Sequence, residues 1–175
     1  MNAKRAVRTV LPVLLGLLLL AACGGKQSFD EPPKIVYGVD VCSACNMIIN
    51  EENFASAYWT TGGDARMFDD LGEMILYMHD HPDEEVASAW VHDMNTAKWL
   101  RAGDAWIVMN AGLVTPMGTG VASVATEQDA QALAFGQDGA MVLTFDDLMK
   151  QLAGGHLMIP MGGGHGGHGG GMGGD

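Results

Sequence analysis

Residues 54–61, FASAYWTT, combine aromatic and β-branched positions and run into Gly62-Gly63, the pattern of a strand entering a hairpin. Residues 65–68 supply the returning strand. In FDDLGEMILYMHD, residues 68–80, Leu71, Ile75 and Met78 recur at helical spacing with Met74 alongside. Asp69 or Asp70 fits the N-cap, and Pro82 lies beyond the end. Residues 87–92, 98–101, 105–110 and 120–125 predict further strands. Thr126 then caps a helix through EQDAQALAF that stops at Gly136. Residues 141–143 predict a last strand, and Thr144 caps the short helix FDDLMKQLA.

This order groups into two halves, 54–80 and 86–135, each with strands followed by a capped helix, which could be divergent copies of one ββα-type unit. It favours an α+β fold over a doubly wound parallel sheet. No glycine-rich strand-to-helix loop or Walker A motif is present, so nucleotide binding has no support. One compact domain is expected over residues 35–153. Residues 23–34, rich in Gly and Pro, predict a flexible tether. Residues 154–175, ending in glycine-rich sequence with His165, His168 and Met172, predict a disordered tail.

The N-terminus places the domain outside the cytoplasm. Lys4, Arg5 and Arg8 precede an apolar run over residues 10–22, too short for a comfortable membrane span and typical of an export signal. LLAAC ends at Cys23 and resembles a bacterial lipobox, whose cysteine carries lipid and becomes the first mature residue. Several acyl chains anchor stably where one does not. Gly24 rather than Asp after that cysteine favours the outer membrane of a Gram-negative cell. Removing residues 1–22 leaves six basic against 21 acidic residues, a net charge of −15 with His neutral. Such a surface repels nucleic acid and attracts cations and basic partner surfaces.

With Cys23 assigned to lipid, Cys42 and Cys45 are the remaining thiols, in CSACNM at residues 42–47. A disulfide across so short a loop stabilises little, so a structural staple is a poor explanation. Thiolates and the Met47 thioether are soft donors suited to Cu(I). A closed zinc site would need two more cysteine or histidine ligands, and no second CxxC or HxxxH exists. A redox pair is the rival, but thioredoxin-type enzymes open a helix with CxxC, whereas this one leads into a loop and a strand. Met74, Met78, Met141 and Met149 read as core fillers. Met109, at a strand end, is intermediate. Met117, in the loop VTPMGTG, is a candidate ligand, as is His92 beside Asp93. Asp69 and Asp70 read as caps.

Taken in order, Cys42-x-x-Cys45-x-Met47 with Ile48 and Ile49, residues 68–74, VHDM at residues 91–94, Trp99, Ala105 and the stretch from Met117 to Ser123 resemble the NosL family. Asn46 stands where the family's motif has glycine, and suits a positive-φ turn. The resemblance implies a treble-clef-like arrangement of two related ββα-type halves. It also implies Cu(I) binding without catalysis, and delivery of copper to apo nitrous oxide reductase, alongside other copper-handling maturation proteins. The resulting expectation is a periplasm-facing lipoprotein with copper held by Cys42, Cys45, Met47 and Met117, and His92 or a carboxylate completing the shell. A thiol–disulfide oxidoreductase acting through Cys42 and Cys45 is the alternative.

Overall fold

The structure, a computed structural model, describes residues 28–160. Strands β1 (Ser56–Thr60), β2 (Ala65–Phe68), β3 (Val86–His92) and β4 (Trp99–Arg101) form an antiparallel sheet ordered β2-β1-β3-β4. Strands β5 (Trp106–Met109), β6 (Val121–Val124) and β7 (Met141–Thr144) form a second antiparallel sheet ordered β6-β5-β7. Helix α1 (Leu71–Asp80) lies between β2 and β3 in the chain, α2 (Glu127–Ala134) between β6 and β7, and α3 (Phe145–Ala153) follows β7. The fold is therefore α+β.

Each half runs strand, strand, helix, strand, and the third strand pairs with the first on the side away from the second. The second half begins at β5 rather than near residue 86, because β3 takes its backbone partners from β1. Each ββα unit thus gains a closing strand that leaves after the helix.

The caps follow the side chains that expose an oxygen before each helix. Thr126 accepts from the Asp129 amide and Thr144 from the Asp147 amide. Asp70, not Asp69, caps α1 by accepting from the Gly72 amide at 2.8 Å. Leu71, Met74 and Ile75 turn inward beside Tyr58, Phe68, Val91, Ile107 and Leu148 to form the main core. Alternation along β5 divides its residues between two clusters: Ile107 and Met109 enter this core, whereas Trp106 and Val108 face Val124, Ala130 and Leu133 beneath α2.

Asp70 also joins the halves. Its carboxylate accepts from Thr115 Oγ1 at 2.7 Å, Thr119 Oγ1 at 2.5 Å and the Met117 amide at 3.0 Å, all in the loop between β5 and β6. Gly72 permits this approach, since a Cβ there would sit 2.4 Å from Thr119 Cβ.

Both ends of the domain extend beyond residues 35–153. In the expected tether, the Phe29 ring lies against Trp59, whose indole N–H donates to the Glu31 carbonyl at 2.9 Å, and Asp30 pairs with Arg101. Past α3, Leu157 and Ile159 are buried in the main core, so residues 154–160 close the domain instead of opening the tail. Those two apolar side chains separate this stretch from the glycine-rich sequence that follows. Cys23, His165, His168 and Met172 lie outside the described residues.

Asp70→Ala removes one acceptor from four donors, three of them in the other half. It should lower unfolding free energy by about 3 kcal/mol or more in denaturant titration, against about 1 kcal/mol for loss of the exposed Thr126 cap in Thr126→Ala. Equal losses in the two variants would show that Asp70 is only a cap.

Candidate metal centre

The CxxC sequence folds as a tight turn. Val41 and Ile48 form an isolated antiparallel bridge, the Cys42 amide donates to the Met47 carbonyl at 2.8 Å, and the Asn46 amide donates to the Cys42 carbonyl at 3.0 Å. Asn46 takes φ 61°, the left-handed conformation anticipated for it. The Ser43 amide donates to the Met67 carbonyl at 2.7 Å, and Ser43 Oγ accepts from the Met67 amide at 3.1 Å. These bonds stitch the turn to β2 and hold both thiols beside the start of α1.

Two carboxylates meet them there. Asp69 follows β2, and Glu73 lies in the first turn of α1, four residues later. Cys42 Sγ donates to Glu73 Oε2 at 3.1 Å, and Cys45 Sγ points to Asp69 Oδ1 at 3.8 Å. One donor atom from each of Cys42, Cys45, Asp69 and Glu73 falls within 4.8 Å of all the others. Cys42 is 1% exposed and both carboxylates 4%, while Cys45 is half-buried at the rim.

Burial sets the protonation of this cradle. It pushes the Cys42 thiol well above its ordinary range; the amides of Cys45, Asp69 and Ala44 offset part of that rise, and Glu73 adds to it. Burial also raises the Cys45 thiol, with the Met47 amide and Cys42 opposing and the nearby carboxyl groups reinforcing. Glu73 is pushed up to about 7, chiefly by burial and further by Asp69, against the lowering effect of the two thiols. In the metal-free state the cluster therefore stores protons. A soft cation can displace the thiol protons there and take the thiolates as its natural donors.

Met47 shares the turn and is 54% exposed, placing its thioether at the surface of the same loop. Met117 is half-buried, and its amide is tied to Asp70, the residue next to Asp69. His92 is not part of the four-residue cluster. Its Nδ1 lies 2.8 Å from the Ala55 carbonyl and its Nε2 3.4 Å from the Tyr37 hydroxyl, and its ring packs 3.7 Å from Trp99. Burial lowers its pKa, favouring a neutral imidazole braced inside the first sheet.

From sequence Glu73 has no site role and Asp69 reads as a cap, whereas the structure sets both carboxylates against the thiols. No local signal pairs them, because Asp69 precedes the N-cap, outside the helical spacing of α1, and only Glu73 lies on the helix.

Fold and site together define a two-sheet α+β protein carrying a dithiol–dicarboxylate cradle. Comparison with known proteins agrees: a sequence model of the NosL family matches residues 34–153, and the chain belongs to that family. It is 31% identical over 166 residues to the copper-binding lipoprotein NosL of Stutzerimonas stutzeri, spanning 87% of this chain and 86% of that protein. The crystal structure of the copper chaperone NosL from Shewanella denitrificans matches with a TM-score of 0.56 at 24% identity, covering 66% of this chain and 96% of that one, and shows the shared fold.

Because Glu73 binds its proton more tightly folded than unfolded, its contribution is fully present below the ordinary carboxyl range and is lost as pH rises through about 7. Metal-free reduced protein should have a higher urea midpoint near pH 5 than near pH 8, and Glu73→Gln should flatten that fall. An unchanged slope in the variant would remove Glu73 as its cause.

Proposed function

We propose that the protein is a Cu(I) carrier that collects copper in the Cys42–Cys45 cradle and passes it on by ligand exchange. The observation carrying this reading is the meeting of two thiols and two carboxylates within 4.8 Å on a turn whose rim is partly open. The names of its relatives, a copper-binding lipoprotein and a copper chaperone, point the same way.

In this reading Cys42, the buried thiol, anchors the ion, while Cys45 and exposed Met47 give the incoming and outgoing copper an accessible edge. Copper entry releases the thiol protons. Met117 supplies a further thioether from the loop that Asp70 holds. Of the two groups considered to complete the shell, the engaged nitrogens of His92 favour a carboxylate, Asp69 or Glu73. The protein supplies no chemical step beyond binding and transfer, so it acts as a carrier and not as an enzyme.

Delivery to apo nitrous oxide reductase follows from the family resemblance. The acidic surface would steer a basic patch on the recipient, and that attraction weakens with salt. Lipid on Cys23 would hold the carrier on the periplasmic side of the outer membrane. Among the described residues no helix is long and apolar enough to cross a membrane.

The thiol–disulfide alternative is not favoured. Efficient exchange needs a thiol that ionises near ambient pH, often at a helix start. Here burial raises both thiols, and the CxxC pair occupies a turn.

Competition of reduced protein with a Cu(I) chelator tests the assignment. Cys42→Ser with Cys45→Ser should abolish the tightest binding, and Glu73→Gln should weaken it roughly 10–100-fold. Copper-loaded wild type should reconstitute apo nitrous oxide reductase, whereas the double variant should not. Unchanged tight uptake by the double serine variant would refute the site, and failure of loaded wild type to transfer copper would refute the delivery role.

A further inference from the structure

A second group of sulfurs lies at the end of the other sheet. Met109 of β5 and Met141 of β7 are direct cross-strand partners. Residues directly opposite in such a pair bring their Cβ atoms to roughly 4.5–5.5 Å on the same face. Both residues line a pocket of about 160 Å³ whose wall also includes Met158, Thr119, Asn110 and Pro160. Met158 arrives from the segment after α3. Its neighbours Leu157 and Ile159 are buried, yet Met158 is 86% exposed, so it has little packing role to explain its identity. Met141 is 36% exposed, and Met109, at the edge of the main core, is 4% exposed. Met141 reads from sequence as a core filler; its place at an open sheet end gives its thioether a second use.

We propose that Met109, Met141 and Met158 form a second, all-thioether site for a soft monovalent cation, Cu(I), separate from the thiol cradle. Three neutral thioethers suit Cu(I) and discriminate against hard divalent ions, for which this group offers no anionic oxygen. Such a site binds without releasing protons, unlike the cradle, and so it continues to work when thiols and imidazoles are protonated. The loop between β5 and β6 borders both regions: Thr119 lines this pocket and also donates to Asp70, beside Asp69. The site goes beyond the carrier reading, because it uses none of the cradle's residues.

The test uses the full chain with Cys42→Ser and Cys45→Ser, which removes the cradle. It is titrated with Cu(I) against a chelator at about pH 5, where imidazole is largely protonated. One Cu(I) per chain should remain, with only sulfur neighbours in X-ray absorption. Adding Met141→Leu and Met158→Leu, changes close to volume-conserving, should weaken it by about tenfold or more, equivalent to about 1.4 kcal/mol. Met158→Ala alone, at an exposed position, should also weaken it. Replacing Met161, His165, His168 and Met172 together by Leu, Gln, Gln and Leu should leave it unchanged. The proposal is overturned if the double serine variant takes up no Cu(I), if the Met141 and Met158 changes leave uptake intact, or if the tail replacement alone abolishes it. Tight cradle binding in wild-type protein is measured separately, so loss of either site is distinguishable.

Discussion

The Asp70 carboxylate is the interaction on which the rest of the structure turns. It is completely buried and accepts from its own helix start and from three donors in the opposite half. A buried carboxylate is unfavourable without such partners, and a carboxylate supplied with several donors is held firmly. The consequence is geometric. Fixing the start of α1 fixes Asp69 on one side of Asp70 and Glu73 one turn later, and fixing the β5–β6 loop fixes the Met117 backbone. The two carboxylates beside the thiols and a candidate thioether therefore share one support, although they come from different halves of the chain.

The cradle itself is assembled from one local turn and two long-range contacts. A left-handed Asn46 closes the turn, the Ser43–Met67 bonds attach it to the sheet edge, and α1 brings Glu73 beneath the thiols. Burial then decides what state the groups occupy. Charged thiolates beside two carboxyl groups would repel one another in a poorly solvated site, so protons remain until a cation takes their place. This explains how a strongly acidic protein can keep a dithiol in waiting without generating a reactive thiolate.

Much of this architecture is legible in the sequence because it rests on short-range rules. Thr126 and Thr144 precede their helices with side-chain oxygens, and Gly62-Gly63 marks the first hairpin, so these boundaries follow from neighbours in the chain. What escapes is set by distant partners. Asp69 and Asp70 look interchangeable as caps until Thr115 and Thr119 arrive from the other half. Leu157 and Ile159 look like the start of a tail because the core they fill is built from residues far upstream. His92 beside Asp93 resembles an oriented ligand, yet its nitrogens are directed by Ala55 and Tyr37, which no local pattern connects to it. Local patterns register Cys42 and Cys45 as donors but carry no trace of the carboxylates they meet.

That difference also explains why a CxxC pair alone does not distinguish copper carriage from disulfide exchange. Both chemistries need adjacent sulfurs; they diverge in what surrounds them. Exchange is served by groups that stabilise an isolated thiolate, such as a helix N-terminus acting directly on sulfur. In this protein the start of α1 instead presents Glu73 to Cys42, and Asp69 faces Cys45. Carboxylates next to sulfur oppose a free thiolate, and a bound cation relieves part of that repulsion. The surroundings thus penalise the anion that exchange requires, so the carboxylates, more than the cysteines, are the residues that count against exchange.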